Sequence, residues 1–230
     1  MIATHAYNNL PLVSDADTSF DKQLASAGIT RNQLFSKLAP LFLEGNNAGR
    51  YAACLIHHHY DLKPGERMVN NNLSTKPLAV GSTESDSPSA NIVAQIWLRT
   101  GEAVEYCVAP DPSKANLPPP PPTEFFEKFR SLLDPIGIKI LGVCYADTDL
   151  ENGFILKESD GPGDRERIFN IIHRSAKPTP GSFEVTWIPK YDEDGESYTM
   201  TCACNCTASG CHKQHSYVLI QIGYVDNGQN

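Results

Sequence analysis

Apolar residues recur every three or four positions from Thr18 to Glu44, which is the spacing of helices that bury one face. Gly28 interrupts this pattern and suits a helix end, since glycine adopts the left-handed conformation at no steric cost. Thr30 follows as a cap, with Gln33 at the third position of a capping box. We therefore expect two short helices, one on each side of Gly28.

A third helix is predicted to begin at Thr123, because the phenylalanines and leucines that follow form one apolar stripe. It should end before Asp134, since the residue before Pro135 is disfavoured in a helix. Elsewhere, runs of branched and aromatic residues between turns rich in proline, glycine or acidic residues predict strands. The candidates are 50–60, 92–98, 103–108, 136–146, 167–174, 183–188, 198–204 and 217–224.

These elements do not alternate regularly between strand and helix, so a doubly wound parallel sheet is disfavoured. The expected fold is α+β, a mainly antiparallel sheet of roughly eight strands with about three helices. We treat residues 1–230 as a single domain with two irregular segments. Residues 70–91 are polar enough to predict a mobile loop. Residues 109–122 contain five consecutive prolines at 118–122 and predict a stiff connection, at which a subdomain boundary could fall.

Composition and charge narrow the class of protein further. Hydrophobic residues make up 40% of the chain, which suffices for a core. With 19 basic against 27 acidic residues the net charge is −8, so nucleic acid and anionic lipid are disfavoured as partners. No apolar stretch reaches the ~18 residues of a membrane span, and the N-terminus has no secretion signal. We expect an intracellular, cytoplasmic protein with no nucleic-acid and no membrane partner.

Cysteine is the unusual part of the composition, because four of the seven cysteines lie between positions 202 and 211. A reducing compartment favours metal binding or free thiols over disulfides. On an extended strand Cys202 and Cys206 would lie about 13 Å apart, too far to share one ion, whereas a turn after Thr207 can return Cys211 to the cluster. The predicted structural zinc ligands are Cys204, Cys206, Cys211 and His215, with Cys202 or His212 as substitutes. Buried thiols without a metal are the alternative.

Two resemblances bear on these segments. The Cys-x-Cys-x4-Cys spacing of Cys204, Cys206 and Cys211 resembles the zinc knuckle that follows the catalytic domain of SET-type methyltransferases. It covers eight residues, and no Asn-His-Ser-Cys element precedes it, so it implies a zinc site and no methyltransferase activity. Residues 51–69, 183–187 and 210–215 resemble uncharacterised proteins of filamentous fungi, which implies no activity either.

A histidine triplet offers a second candidate metal site. His57 and His59 point to one face of a strand end and could chelate an ion, completed by Glu66 or His173 as an open site that activates water. His57-x-His59 with Glu66 resembles the cupin metal motif, except that six residues rather than three or four separate the second histidine from the acid. Solvated or hydrogen-bonded imidazoles at a polar strand end are the alternative.

The sequence does not assign a function. It contains no nucleophile elbow, no phosphate-binding loop and no dinucleotide fingerprint. The leading hypothesis is a binding or scaffolding module that carries a structural Cys/His zinc site. A protein partner with an aromatic-lined groove could contact the proline run at 118–122, although a spacer explains it as well. The alternative is a metal-dependent enzyme that uses His57 and His59.

Overall fold

The computed structural model describes residues 2–71, 73–80, 92–109, 118–146, 154–162, 165–177, 180–191 and 198–207. The helices in these ranges are α1 (Ile2–Asn8), α2 (Val13–Ala27), α3 (Arg31–Leu43) and α4 (Thr123–Leu133). The strands are β1 (Tyr51–Leu55), β2 (Glu66–Asn71), β3 (Ser74–Ala79), β4 (Ile92–Leu98), β5 (Ala103–Val108), β6 (Leu141–Tyr145), β7 (Phe154–Asp160), β8 (Arg167–His173), β9 (Ser182–Tyr191) and β10 (Tyr198–Thr207).

The strands form one closed barrel in the order β1-β6-β4-β5-β2-β3-β8-β7-β10-β9, and β9 pairs with β1 to complete the circle. The β2–β5 and β7–β10 junctions are parallel, and the others are antiparallel. The predicted α+β fold with a mainly antiparallel sheet of roughly eight strands is therefore wrong. Within the described residues, the structure is a mixed barrel of ten strands. Closure depends on pairings between distant segments, which local sequence patterns do not reveal.

Three of the strands lie where no strand was predicted. β2 and β3 form a hairpin that overlaps the expected loop at 70–91, with Met68, Val69 and Thr75 buried among otherwise polar or partly exposed positions. β7 was not predicted, because its second half runs into an acidic and glycine-rich segment that is typical of a turn. The predicted strand at 217–224 lies outside the described residues. The prolines at 118–122 lead directly into α4.

The predicted helix boundaries around Gly28 are confirmed. Gly28 ends α2 with a positive φ of 66°. Thr30 caps α3 through a capping box, in which the Gln33 backbone N–H donates to Thr30 Oγ1 at 3.2 Å and the Thr30 N–H donates to Gln33 Oε1 at 2.8 Å. α3 packs Phe35 against Trp187 of β9 with 4.9 Å between ring centroids, which attaches the helices to the barrel.

Three strands end together at one end of the barrel. β10 is parallel to β7, and β1 and β10 are both antiparallel to β9, so β1, β7 and β10 run in the same direction. α1 helps to fix the segment that follows β1. Asn8 Nδ2 donates to the Leu62 carbonyl at 2.9 Å, the Leu62 N–H donates to Asn8 Oδ1 at 2.8 Å, and Thr4 Oγ1 donates to the Glu66 carbonyl at 2.7 Å. No helix in the described ranges is both long and apolar enough to cross a membrane.

Candidate metal centre

Four side chains that can each offer a metal ligand converge where β1, β7 and β10 end. His57 and His59 follow β1, Glu158 belongs to β7 and Cys206 belongs to β10. One nitrogen, oxygen or sulfur atom from each residue lies within 4.8 Å of the others, and the four residues are largely buried. This group could hold a metal ion.

Strand geometry explains the convergence. Cys206 and Glu158 are direct partners across the parallel β7–β10 junction, so their side chains project to the same face of the sheet. After β1, the side chains of His57 and His59 lie on the same side of the chain, with 5.1 Å between their ring centroids. His58 packs against Tyr7 instead, at 5.9 Å between ring centroids. The sequence-based expectation that His57 and His59 share a face is confirmed.

Three separations between possible ligand atoms fall in the range found around one small cation, and the four groups together lie within 4.8 Å. His59 Nε2 lies 3.4 Å from Glu158 Oε1 and 3.6 Å from Cys206 Sγ. His57 Nε2 lies 3.8 Å from Glu158 Oε2. Tetrahedral zinc with bonds of about 2.0–2.3 Å requires neighbouring ligand atoms about 3.3–3.8 Å apart. The donor set also fits, because zinc accepts imidazole nitrogen, carboxylate oxygen and thiolate sulfur.

The hydrogen bonding of His57 leaves one ring nitrogen directed at the cluster. Its Nδ1 lies 2.8 Å from the Leu55 carbonyl oxygen and donates to it, which places the lone pair on Nε2. That Nε2 is buried without a hydrogen-bond partner. Burial lowers the pKa of His57 to about 4, so the imidazole is neutral at pH 7. A buried lone pair is costly unless a cation or a hydrogen-bond donor satisfies it, and Nε2 is therefore available to a metal ion at this place.

A carboxylate lies near the other ring nitrogen of His59, beyond hydrogen-bond distance. Its Nδ1 lies 3.8 Å from Asp160 Oδ1, and the Tyr60 hydroxyl lies 2.9 Å from the same oxygen. Burial lowers the pKa of His59, but the carboxylates of Asp160 and Glu158 outweigh burial and raise that pKa above its ordinary value. At metal sites a carboxylate in this position commonly accepts a hydrogen bond from the ring, and Asp160 would have to approach His59 Nδ1 to do so.

Glu158 is held by a buried guanidinium. Arg167 Nη1 lies 2.6 Å from Glu158 Oε1, and Arg167 Nη2 donates to Glu105 Oε2 at 2.7 Å. Burial raises the pKa of Glu158, but the charges of Arg167 and His59 outweigh burial and hold that pKa well below its ordinary value. The carboxylate is therefore ionised at neutral pH, and Oε2 remains directed toward His57.

Cys206 is the fourth group of the cluster and its side chain is completely buried. Burial raises the pKa of its thiol, so without a metal the sulfur keeps its proton at neutral pH. A coordinating divalent cation deprotonates such a thiol outright. Cys206 is therefore an inert thiol in the free protein and would become a thiolate if it coordinated a metal ion.

The predicted ligands occupy different places. Cys206, His57 and His59 belong to the cluster, whereas Cys204 and Cys202 are buried elsewhere on β10. Cys211, His212 and His215 lie outside the described residues. Glu66 is bound by Arg165 at 2.6 Å and accepts the Lys63 N–H at 2.7 Å. His173 ends β8, packs on Phe154 and contacts Ser175, so neither Glu66 nor His173 joins the histidine pair.

Glu158 is the residue of this site that sequence reasoning missed. It stands in Lys157-Glu-Ser-Asp160, which reads as a polar turn. The apolar residues Phe154, Ile155 and Leu156 just before it were a strand signal that could have placed Glu158 on a sheet. Its proximity to Cys206 depends on a parallel pairing between segments distant in sequence, for which the sequence carries no local signal.

No protein-family model, curated protein or solved structure matches this chain. The resemblances to filamentous-fungal proteins and to a zinc knuckle therefore stay predictions. On its geometry, the chain is a mixed β-barrel protein with a buried His/His/Glu/Cys group that could bind a metal ion.

Proposed function

We propose that this protein is a zinc-binding barrel whose metal has a structural role, and that it acts as a binding or scaffolding module. His57, His59, Glu158 and Cys206 would hold the ion. The observation that carries the proposal is that four protein ligands meet in a buried place. Four protein ligands complete the tetrahedral coordination of zinc and leave no position for a substrate, which is typical of structural sites.

The position of the cluster supports a structural role. The β1–β9 junction closes the barrel through only two residue pairs, Ala53 with Trp187 and Cys54 with Thr186. Beyond this short junction, a metal would connect the extension of β1 to Cys206 of β10 and Glu158 of β7. It would thus strengthen the barrel near a junction where strand pairing is short.

The free cysteines support a reducing location. The six described cysteines are all buried thiols, and none is paired in a disulfide. A thiolate ligand persists best where glutathione keeps cysteines reduced, so we place the protein in the cytoplasm. The acidic chain leaves a protein as the partner class that a scaffolding module would bind.

Metal analysis of protein purified without a histidine tag tests the proposal. We expect about one equivalent of zinc in the wild type and none in Glu158→Gln or in a His57→Ala, His59→Ala variant. Glu66→Gln is the matched control and should retain zinc, because Glu66 pairs with Arg165 outside the cluster. A wild type without bound metal, or a Glu158→Gln variant with full zinc content, would refute the proposal.

The competing ligand set of Cys204, Cys206, Cys211 and His215 shares only Cys206 with the cluster. A Cys211→Ser, His215→Ala variant distinguishes the two ligand sets. It should retain zinc if His57, His59, Glu158 and Cys206 bind the metal, and lose zinc if the C-terminal set binds it.

A metal-dependent enzyme remains the second outcome of these tests. If Cys206 does not ligate, His57, His59 and Glu158 form a three-ligand set with an open position. Replacing zinc with Co²⁺ distinguishes four-ligand coordination from three-ligand coordination, since a thiolate ligand gives a sulfur-to-metal charge-transfer absorption. We expect this absorption in the wild type and its loss in Cys206→Ser.

A further inference from the structure

A chain of charged side chains runs along the barrel from the candidate metal site on β7 to β5. Glu158 of β7 pairs with Arg167 of β8, and Arg167 pairs in turn with Glu105 of β5. The three side chains are 4%, 3% and 8% exposed, respectively. Charges removed from water to this degree interact strongly, so the net charge of this group should have a large effect on the free energy of binding a cation.

The register of the strands explains how Arg167 reaches both carboxylates. Arg167 is the first residue of β8 and is a direct partner of Thr75 on β3, whose side chain is completely buried. Glu105 is the direct partner of Met68 on β2, and Met68 is also completely buried. Arg167 and Glu105 therefore project to the buried side of adjacent parts of the wall, where the forked guanidinium can bridge two acids.

The formal charges of the group can be counted for each state. Among the buried side chains, Glu158, Glu105 and a Cys206 thiolate carry three negative charges, and Arg167 carries one positive charge. Asp160 is left out of the count because 40% of its side chain is exposed, so water screens its charge. His57 and His59 are neutral when they ligate a metal. A divalent ion therefore makes the whole group neutral, a monovalent ion leaves one negative charge and a trivalent ion leaves one positive charge.

We propose that Glu105 offsets the positive charge of Arg167, so that the net charge of the site matches a divalent cation better than a monovalent thiophilic one such as Cu⁺. This inference rests on the proposed metal site. Binding replaces the Cys206 S–H bond with a sulfur–metal bond and releases that proton to solvent. Arg167 is a positioning residue, since it engages Glu158 Oε1 and leaves Oε2 facing His57. Glu105 touches none of the ligands and acts through Arg167.

Glu105→Gln tests this inference, because it removes one negative charge and keeps an oxygen that can accept from Arg167. Affinities for Zn²⁺ and for Cu⁺ under anaerobic conditions are measured by chelator competition in the full chain. We expect Zn²⁺ affinity to fall by about 10–100-fold, as for other residues behind the ligands of metal sites. Cu⁺ affinity should fall less, since its charge is half as large, so the Zn²⁺/Cu⁺ affinity ratio falls.

A charge-compensated variant makes the test independent of packing. Glu105→Gln combined with Arg167→Gln removes one charge of each sign, so the group is again neutral with a divalent ion. We expect the affinity ratio to return toward the wild-type value. If Glu105→Gln does not fold, Arg167→Gln tests the inference from the opposite side, because it removes one positive charge and should raise the Zn²⁺/Cu⁺ affinity ratio. An unchanged ratio in that variant overturns the inference.

The controls separate this inference from the proposed site. Glu66→Gln removes a carboxylate from a comparable arginine pair outside the cluster and should leave both affinities unchanged. The Co²⁺ spectrum should be the same in Glu105→Gln and wild type, since the ligands are the same. A wild type that binds no metal overturns both proposals. A wild type that binds Zn²⁺ and whose affinity ratio survives Glu105→Gln, or is not restored in the double variant, overturns the charge selection alone.

Discussion

Cys206 and Glu158 are direct partners across the parallel junction between β7 and β10, and both side chains are buried. Two residues that are direct partners on neighbouring strands project to the same face of the sheet, so their side chains lie side by side. Sulfur and carboxylate donors are thereby fixed to one rigid wall. The two histidines approach this wall from the end of β1, which makes the centre a connection between non-adjacent strands.

Removal of the metal should lower the stability of the barrel. A ligand that binds only the folded state stabilises it by about 4 kcal/mol at a free concentration one thousand times its Kd. For a chain of this size that corresponds to roughly 8–16 °C in melting temperature. We expect a shift of this order between zinc-saturated and chelator-treated protein. Glu158→Gln should show no zinc-dependent shift, and an equal shift in that variant would place the stabilising metal elsewhere.

Replacement of Arg167 by methionine should destabilise the protein strongly. The substitution leaves the carboxylates of Glu158 and Glu105 buried without their guanidinium partner. Loss of one partner of a buried ion pair costs about 3–5 kcal/mol. Urea unfolding of the metal-free protein measures this cost. Arg31→Met is a suitable control, because Arg31 pairs with the partly exposed Asp17 and Asp21 and should cost about 1 kcal/mol or less. Similar losses for the two variants would contradict the prediction.

The ion pair between Glu66 and Arg165 should give a pH-dependent contribution to stability. The hydrogen bond from Arg165 lowers the pKa of Glu66 below its ordinary value. A carboxyl group whose pKa is lower in the folded state stabilises the fold above its unfolded pKa of about 4.3, and this stabilisation disappears as the pH falls through the folded pKa. The unfolding free energies of wild type and Glu66→Gln should therefore differ at pH 7 and converge toward pH 3. A difference that is constant over this range would argue against the ion pair.

The described cysteines should resist alkylation in the native protein. Burial raises the pKa of Cys107 to about 11 and, together with the Glu184 carboxylate, that of Cys202 to about 12. At pH 8 only about one thiol in a thousand or fewer is then ionised, and the thiolate is the reactive form. Peptide mapping after iodoacetamide treatment should find both residues unmodified in native protein and modified in urea. Equal labelling in the two conditions would show that the sites open readily.

Local features of the sequence predicted local structure well. Gly28 ends one helix and Thr30 with Gln33 begins the next, because the requirements of a helix end are met within a few residues. The sharing of one face by His57 and His59 follows from strand alternation and was also predictable. Each of these inferences depends on residues adjacent in the chain.

The remaining features depend on which distant segments pair. The β2–β5 and β7–β10 junctions are parallel pairings between segments distant in sequence, and neither segment carries a local signal that identifies its partner strand. Glu158 became a candidate ligand only through the pairing with Cys206, whereas Glu66, closer to the histidines in sequence, is engaged by Arg165. Proximity along the chain was thus a poor guide to the third ligand.

The sequence separation of the ligands has a kinetic consequence. His59 and Cys206 are 147 residues apart, yet their ligand atoms are 3.6 Å apart in the folded barrel. Contacts across so long a stretch of chain form late, after the cost of closing the loop has been met by other pairings. Zinc would therefore bind a barrel that has already closed, and would slow its unfolding while leaving the rate of folding nearly unchanged. The lifetime of the native state would then be governed by how slowly the ion dissociates.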